Sequence, residues 1–138
     1  MKFKIVDHTA DVAIKFFGKT IEELFINSAI SLSEVIFNQK RDKFNEDDKM
    51  MCLHFMADDV NILYIDFLRE ILFQINTNFR YFYNIEIIKF SNNKISVDCD
   101  YYSLGLDDIL QEIKAVTYHD IEIKKEKDTY NALVTFDI

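Results

Sequence analysis

Residues 7–12 form an acidic stretch, DHTADV, that could contribute ligands to a cation site. It places the carboxylates of Asp7 and Asp11 and the imidazole of His8 within five residues. If the segment is extended, Asp7, Thr9 and Asp11 point to one side, because side chains alternate along a strand. Taken alone, such a cluster is more often a capped, solvated turn than a ligand site.

The end of the sequence, LVTFDI at residues 133–138, is a second source of carboxylates. Asp137 supplies a side chain and Ile138 supplies the α-carboxylate, directly after an apolar run that predicts a strand. Terminal residues usually fray unless something ties them down. These two groups can therefore bind a ligand only if the strand before them is held in the fold.

A third segment, residues 112–120 (EIKAVTYHD), carries a lysine and a histidine within a predicted strand. Alternation places Lys114 on one face, together with Val116, and His119 on the opposite face. A lone lysine in a strand is usually just exposed, and a lone histidine there is usually a hydrogen-bonded structural residue. None of the three segments identifies a function by itself.

Two amphipathic helices are predicted, and each has a recognisable start. Thr20 and Glu23 have the spacing of a capping box, in which each side chain accepts a hydrogen bond from the other residue's backbone N–H. Apolar residues then recur at helical spacing, which predicts a helix over residues 21–37. Asp58 and Asp59 are candidate N-caps for a second helix that ends near residue 76.

Strands account for most of the remaining sequence. The polar residues 38–48 predict a loop, and Asn92-Asn93 predicts a hairpin turn because asparagine tolerates left-handed backbone angles. Runs rich in apolar and β-branched residues predict strands at residues 12–17, 49–56, 82–90, 94–101, 112–118, 120–125 and 131–137. Helices early and strands late indicate an α+β fold: a single two-layer domain over residues 1–138, with a mixed or antiparallel β-sheet and two main helices.

The composition constrains the function. With 138 residues, of which 49% are hydrophobic and 14% aromatic, the chain is expected to form a folded core. Its formal net charge of −8 argues against direct, strong binding to nucleic acid, which depends on phosphate neutralisation by Lys and Arg. An acidic surface suits a basic protein partner or a cation, although it also commonly serves solubility alone.

Several features predict a cytoplasmic protein. No segment reaches the ~20 apolar residues that a membrane helix needs, and the first residues do not resemble a signal peptide. Cys52 and Cys99 are widely spaced in strand-like runs, which indicates buried free thiols in a reducing compartment.

Together, the three segments resemble the archease family. The resemblance runs from DHTADV at residues 7–12, through GKTIEELF at 18–25 and IKAVTYH at 113–119, to the closing FDI at 136–138. The order of these segments and the ending at Asp-Ile are jointly specific, and the resemblance covers nearly the whole chain.

The resemblance implies a role as a partner protein. Archeases are helpers of the GTP-dependent RNA ligase that joins tRNA exon halves, and they promote its guanylylation and its repeated turnover without being the catalyst. The family's lysine corresponds to Lys114, which is expected to contact the ligase or its nucleotide site. Further candidate contacts are Asp7, His8 and His119.

The resemblance also implies a metal site made of Asp11, the side chain of Asp137 and the terminal carboxylate of Ile138. Three carboxylates brought together repel one another, and a bound cation removes that penalty. All-oxygen ligands suit Ca²⁺, Mg²⁺ or Mn²⁺ better than Zn²⁺. The family favours Ca²⁺, whereas a site that also included His8 and His119 would suit Mn²⁺.

Other functions remain open at this point. The carboxylates and His8 could form a metal-dependent hydrolytic centre, but the sequence has no Gly-rich phosphate loop, no His-Glu-x-x-His and no nucleophile elbow. A general chaperone or modulator of RNA- or DNA-modifying enzymes is a second alternative. A structural domain with a solvated acidic surface is a third.

Overall fold

The computed structural model describes residues 1–8, 11–38, 48–117 and 120–138, with only the backbone of Asp7 and His8. These ranges form eight strands, two helices and a single 3₁₀ turn. Their bounds, in chain order, are β1 Phe3–His8, β2 Asp11–Gly18, α1 Ile21–Phe37, β3 Lys49–Met56, α2 Val60–Asn78, β4 Arg80–Ser91, β5 Lys94–Ser103, the 3₁₀ turn Leu106–Asp108, β6 Ala115–Val116, β7 Lys124–Glu126 and β8 Thr129–Asp137.

The described strands form two antiparallel sheets. The first has the order β1-β2-β8-β6, and β7 also pairs with β8. The second has the order β3-β5-β4. The predicted α+β class with two main helices is confirmed, and the strands are divided between two sheets.

The core forms where the helices meet both sheets. Helix α1 packs against β2 of the first sheet and β4 of the second. Its Phe25 ring contacts Tyr64 and Phe67 of α2 and Phe90 of β4, with ring centroids 5.1, 5.3 and 5.5 Å away. Ser33 of α1 also accepts a hydrogen bond of 2.9 Å from the backbone N–H of Phe82. Helix α1 therefore joins the two sheets through both apolar and polar contacts.

Each helix begins at a side-chain cap. The Thr20 hydroxyl accepts a hydrogen bond from the Glu23 N–H at 3.0 Å, as predicted. The reciprocal bond of a capping box would come from the Thr20 N–H. Here the Glu23 carboxylate instead accepts from the Lys19 N–H at 3.3 Å. Asp59 caps α2 by accepting from the N–H groups of Asn61 and Ile62 at 2.8 and 3.0 Å.

The strand predictions are wrong at three places. Strand β1 was not predicted, because residues 4–6 are exposed and backbone pairing with β2, not burial, defines the strand. The predicted strand 112–118 shrinks to β6, and 120–125 shrinks to β7. Residues 39–47, most of the predicted loop 38–48, lie outside the described residues.

Neither helix of the described chain combines the length and the apolar character that crossing a membrane requires.

Replacing Asp59 with alanine should lower the free energy of unfolding by about 1 kcal/mol, since two N–H groups at the start of α2 lose their acceptor. Asp58→Ala is the matched control, because Asp58 is an equally exposed neighbour outside the cap, and its effect should be close to zero. Urea unfolding followed by circular dichroism measures both variants. Equal losses would contradict the cap assignment.

Candidate metal centre

The pairing of β2 with β8 brings the start of the sequence to its end. Asp11, the first residue of β2, is the register partner of Asp137, the last residue of β8. Cross-strand partners have Cβ atoms roughly 4.5–5.5 Å apart and share one face of the sheet. Both aspartates are exposed, whereas the next residue of β2, Val12, is buried. Ile138 follows directly, with its Cα about 3.8 Å from that of Asp137.

Residues 113–117 hold the end of β8 along the edge opposite β2. The backbone N–H of Lys114 donates to the carbonyl of Asp137 at 2.7 Å, and Ala115 is the register partner of Asp137 in β6. The Thr117 N–H donates to the carbonyl of Thr135 at 2.9 Å. The end of β8 is therefore paired on both edges, which meets the requirement that the terminal residues be tied down.

Thr117 is a site residue that the sequence analysis did not single out. Its hydroxyl donates a hydrogen bond of 3.3 Å to Oδ1 of Asp137. This bond orients the Asp137 carboxylate and leaves its second oxygen available. The alternation of residues 112–118 placed Thr117 on a face opposite Lys114, but nothing in that pattern linked it to the distant Asp137.

In the described part of the chain, the two opposed aspartates have no ion-pair partner. Within the described residues, neither Asp11 nor Asp137 forms a salt bridge with a lysine, arginine or histidine. Nor do the described ranges bring three His, Cys, Asp or Glu side chains into a cluster that could hold a metal ion. The predicted ligand set differs from such a cluster, because its third member is the α-carboxylate of Ile138. Its oxygen donors suit a hard cation.

The described residues of the first acidic stretch lie on two neighbouring strands, Asp7 and His8 in β1 and Asp11 and Val12 in β2. Strands β1 and β2 pair antiparallel, with His8 opposite Val12 in the register. Asp7 is the register partner of Ala13. It therefore lies on β1, whereas Asp11 lies on the neighbouring strand β2. The side chains of Asp7 and His8 and all of His119 lie outside the described residues, so their candidate contacts stay predictions.

Lys114 lies beside the centre, but in a different environment from the one predicted. Alternation grouped it with Val116, yet Lys114 is exposed whereas Val116 is buried. The pattern fails because residues 113 and 114 precede the short strand β6. There the Asn76 side chain donates to the Ile113 carbonyl at 2.8 Å, which ties this segment to α2.

The two cysteines have different environments. Cys99 is buried, as predicted, and burial raises its pKa to about 12. Cys52 is exposed on β3, where the prediction of burial is wrong. Its Sγ lies 3.0 Å from Oδ1 of Asp98, and this hydrogen bond is the main cause of its raised pKa. Since the thiolate is the nucleophile and the metal-binding form, neither cysteine is poised for such chemistry.

Replacing Asp11 with asparagine should raise the free energy of unfolding by a few tenths of a kcal/mol in EDTA at low salt, because like charges directly opposite each other repel. Denaturant unfolding measures the change. In 1 M KCl the gain should shrink, since the screening length falls to about 3 Å. Glu22→Gln is the control with the opposite expected sign, because Glu22 is an acid in the first turn of α1. A loss of stability for Asp11→Asn would contradict the repulsion.

Comparison with known proteins places the chain among relatives of matching length. The protein archease of Methanosarcina barkeri is 32% identical over 144 residues, which cover 99% of this chain and 96% of that protein. The solution structure of Methanobacterium thermoautotrophicum protein 1598 has a TM-score of 0.70 at 24% identity and covers 99% of both chains. The crystal structure of an archease from Thermotoga maritima, described as a possible chaperone, has a TM-score of 0.58 at 21% identity and covers 98% of this chain and 96% of that one.

The two solved structures support the α+β fold of this chain. The profile of the archease protein family (MTH1598/TM1083) matches residues 3–138. This chain belongs to the archease family.

Proposed function

We propose that this protein is a metal-binding activator of a GTP-dependent tRNA-splicing RNA ligase, and that it promotes guanylylation and multiple turnover of that enzyme. The observation that carries the proposal is the register pairing of Asp11 with Asp137, next to the last residue of the sequence. Family membership supports the choice of partner class. The protein acts by binding, and the ligase supplies the catalytic residues.

The cation would be held by the carboxylates of Asp11 and Asp137 and by the α-carboxylate of Ile138. A hard divalent cation, Ca²⁺ before Mg²⁺ or Mn²⁺, matches these oxygen donors. When bound, it supplies positive charge that can neutralise phosphate oxygens at a neighbouring active site. The hydrogen bond from Thr117 holds one oxygen of Asp137 in place, so that the carboxylate needs little reordering to receive the ion.

Lys114 would face the partner. Its backbone is fixed to Asp137, while its side chain is exposed and carries a positive charge next to the acidic centre. A lysine in this position can contact a carboxylate of the partner or a phosphate of its nucleotide. The net charge of −8 suits association with a basic, RNA-handling enzyme.

A general chaperone role is the second candidate. The related Thermotoga maritima structure is described as a possible chaperone, but at 21% identity it supports only the fold for this chain. A chaperone would protect several unrelated enzymes from aggregation, and this protection would not require Asp11 or Lys114. A specific activator would act on the ligase alone and would depend on both residues.

In a multiple-turnover ligation assay with the cognate ligase, the wild-type protein should increase the number of product molecules formed per ligase. Asp11→Ala and Lys114→Ala should each lose most of this stimulation. Glu86→Ala, on the exposed face of the second sheet, is the control and should retain it. Full stimulation by both Asp11→Ala and Lys114→Ala would refute the residue assignment. Ligation, or nucleotide hydrolysis, by the purified protein alone would instead identify it as an enzyme.

A short Gly-Ser extension after Ile138 should abolish Ca²⁺ binding, because it converts the α-carboxylate into a peptide carbonyl. The readout is the rise in melting temperature on adding Ca²⁺, since a ligand at 100 times its Kd stabilises a protein by about 2.7 kcal/mol. The same extension before Met1, which is exposed, is the matched control and should leave the rise intact.

Asp11→Ala should weaken Ca²⁺ binding by at least about tenfold, since even residues that only orient metal ligands contribute that much. Lys114→Ala should leave Ca²⁺ binding unchanged, because its side chain is not a ligand. An unchanged Ca²⁺ response in the protein extended after Ile138 would remove the terminal carboxylate from the site.

A further inference from the structure

Three exposed apolar side chains line the two grooves that Lys114 borders. Phe73 of α2 is 55% exposed, and Leu106 and Leu110, in the segment between β5 and β6, are 69% and 67% exposed. Phe73 lines a groove of about 750 Å³ between α2 and β6, whereas Leu106 and Leu110 line a second groove of about 600 Å³. Asn76 and Lys114 line both grooves and so form the ridge between them. We call this area the ridge surface.

The segment that carries much of this surface, residues 104–114, is largely irregular but firmly attached. Its start is held by a hydrogen bond of 2.8 Å from the Leu104 N–H to the Phe79 carbonyl. Its middle is held to the end of α1, where the N–H groups of Leu110 and Gln111 both donate to the Ile36 carbonyl, at 2.9 and 3.0 Å.

The end of the same segment is fixed to α2 and to β8. The Asn76 side chain bonds the Ile113 carbonyl, and the Lys114 N–H bonds the Asp137 carbonyl. The backbone that carries the exposed leucines is held at both ends and in the middle. It therefore loses little conformational freedom when a partner binds. Such preorganisation lowers the entropic cost of association.

The charges around the apolar side chains are mainly negative. Among the described residues, Arg69 and Lys114 are the basic residues that line the grooves. Five acidic residues line the grooves or lie in the adjoining 3₁₀ turn: Asp66, Glu70, Asp107, Asp108 and Glu112. An apolar centre with a charged rim is the usual composition of a protein interface.

We propose that the ridge surface is the docking site for a protein partner that presents apolar side chains within a surface rich in Lys and Arg. The inference rests on the proposed function, which makes the RNA ligase that partner. Because Lys114 borders both grooves and is bonded to Asp137, a partner seated here lies directly beside the carboxylates of Asp11 and Asp137.

The rim charges favour a different protein over a second copy of this chain. In a two-fold symmetric dimer the same surface meets itself, so the acidic rim of one copy would face the acidic rim of the other. Like charges brought together in this way oppose association. A basic partner would be attracted by the same acidic rim and would associate faster at low salt.

The test measures binding of the full-length protein to the cognate ligase by surface plasmon resonance. The double variant Phe73→Ala/Leu110→Ala should bind about thirtyfold more weakly, since truncation of central apolar contacts commonly costs about 2 kcal/mol. The matched control is Met56→Ala/Ile88→Ala. These side chains are 73% and 51% exposed on the second sheet, and their truncation should leave the affinity unchanged.

A second variant tests the rim separately. Asp66→Lys/Glu112→Lys should slow association and reduce its dependence on salt, with a smaller change in dissociation. Glu22→Lys/Glu86→Lys is the control with the same change of net charge away from the ridge surface. Melting temperatures of all variants establish that each is folded, and the mutated side chains are exposed or half-buried.

The outcomes separate the two proposals. If the wild-type protein neither binds nor stimulates the ligase, both the proposed function and the docking site are refuted. If the wild type does both and the Phe73/Leu110 variant binds equally well, the docking site alone is refuted. If sedimentation shows a wild-type dimer that this variant abolishes while ligase binding persists, the ridge surface is a contact between copies and the proposal is also refuted.

Discussion

The pairing of β8 with β2 is the interaction on which the rest of the structure depends. It runs from Gly18–Tyr130 to Asp11–Asp137, so that β2 pairs with all of β8 except Thr129, while β7 and β6 pair with the two ends of the other edge. Alternate residues of β8 are buried, namely Ala132, Val134 and Phe136. A slip of one residue would turn this apolar set to solvent. The burial of three apolar side chains therefore also fixes where Asp137 lies.

Helix α1 connects the core to the surface segment between β5 and β6. It packs on both sheets, and its last turn supplies the carbonyl of Ile36 that holds the segment between β5 and β6. That segment has almost no regular structure, yet several of its backbone N–H and carbonyl groups form hydrogen bonds with α1, α2 and β8. The exposed side chains around Lys114 are thus positioned by the core, although none of them is part of it.

The acidic residues have a consistent physical role in this arrangement. Asp11 and Asp137 are directly opposed and exposed, so that water weakens their repulsion and the fold tolerates it. The acidic rim near Lys114 is exposed or half-buried, so water weakens the repulsion there as well. A folded protein of net charge −8 keeps these charges at its surface, where a cation or a basic partner can neutralise them.

The sequence by itself determined the two helices, most strands and the α+β class. Periodicity and capping are local, which is why helix α1 and strand β3 have the predicted bounds and Asp59 is a cap. Only the tertiary structure decided that Asp11 faces Asp137, that Thr117 bonds Asp137, and that β6 is so short. Each of these depends on strand register or on a side chain from a distant element, such as Asn76. A periodic pattern shows which face of a strand is buried but not which residue will lie opposite it.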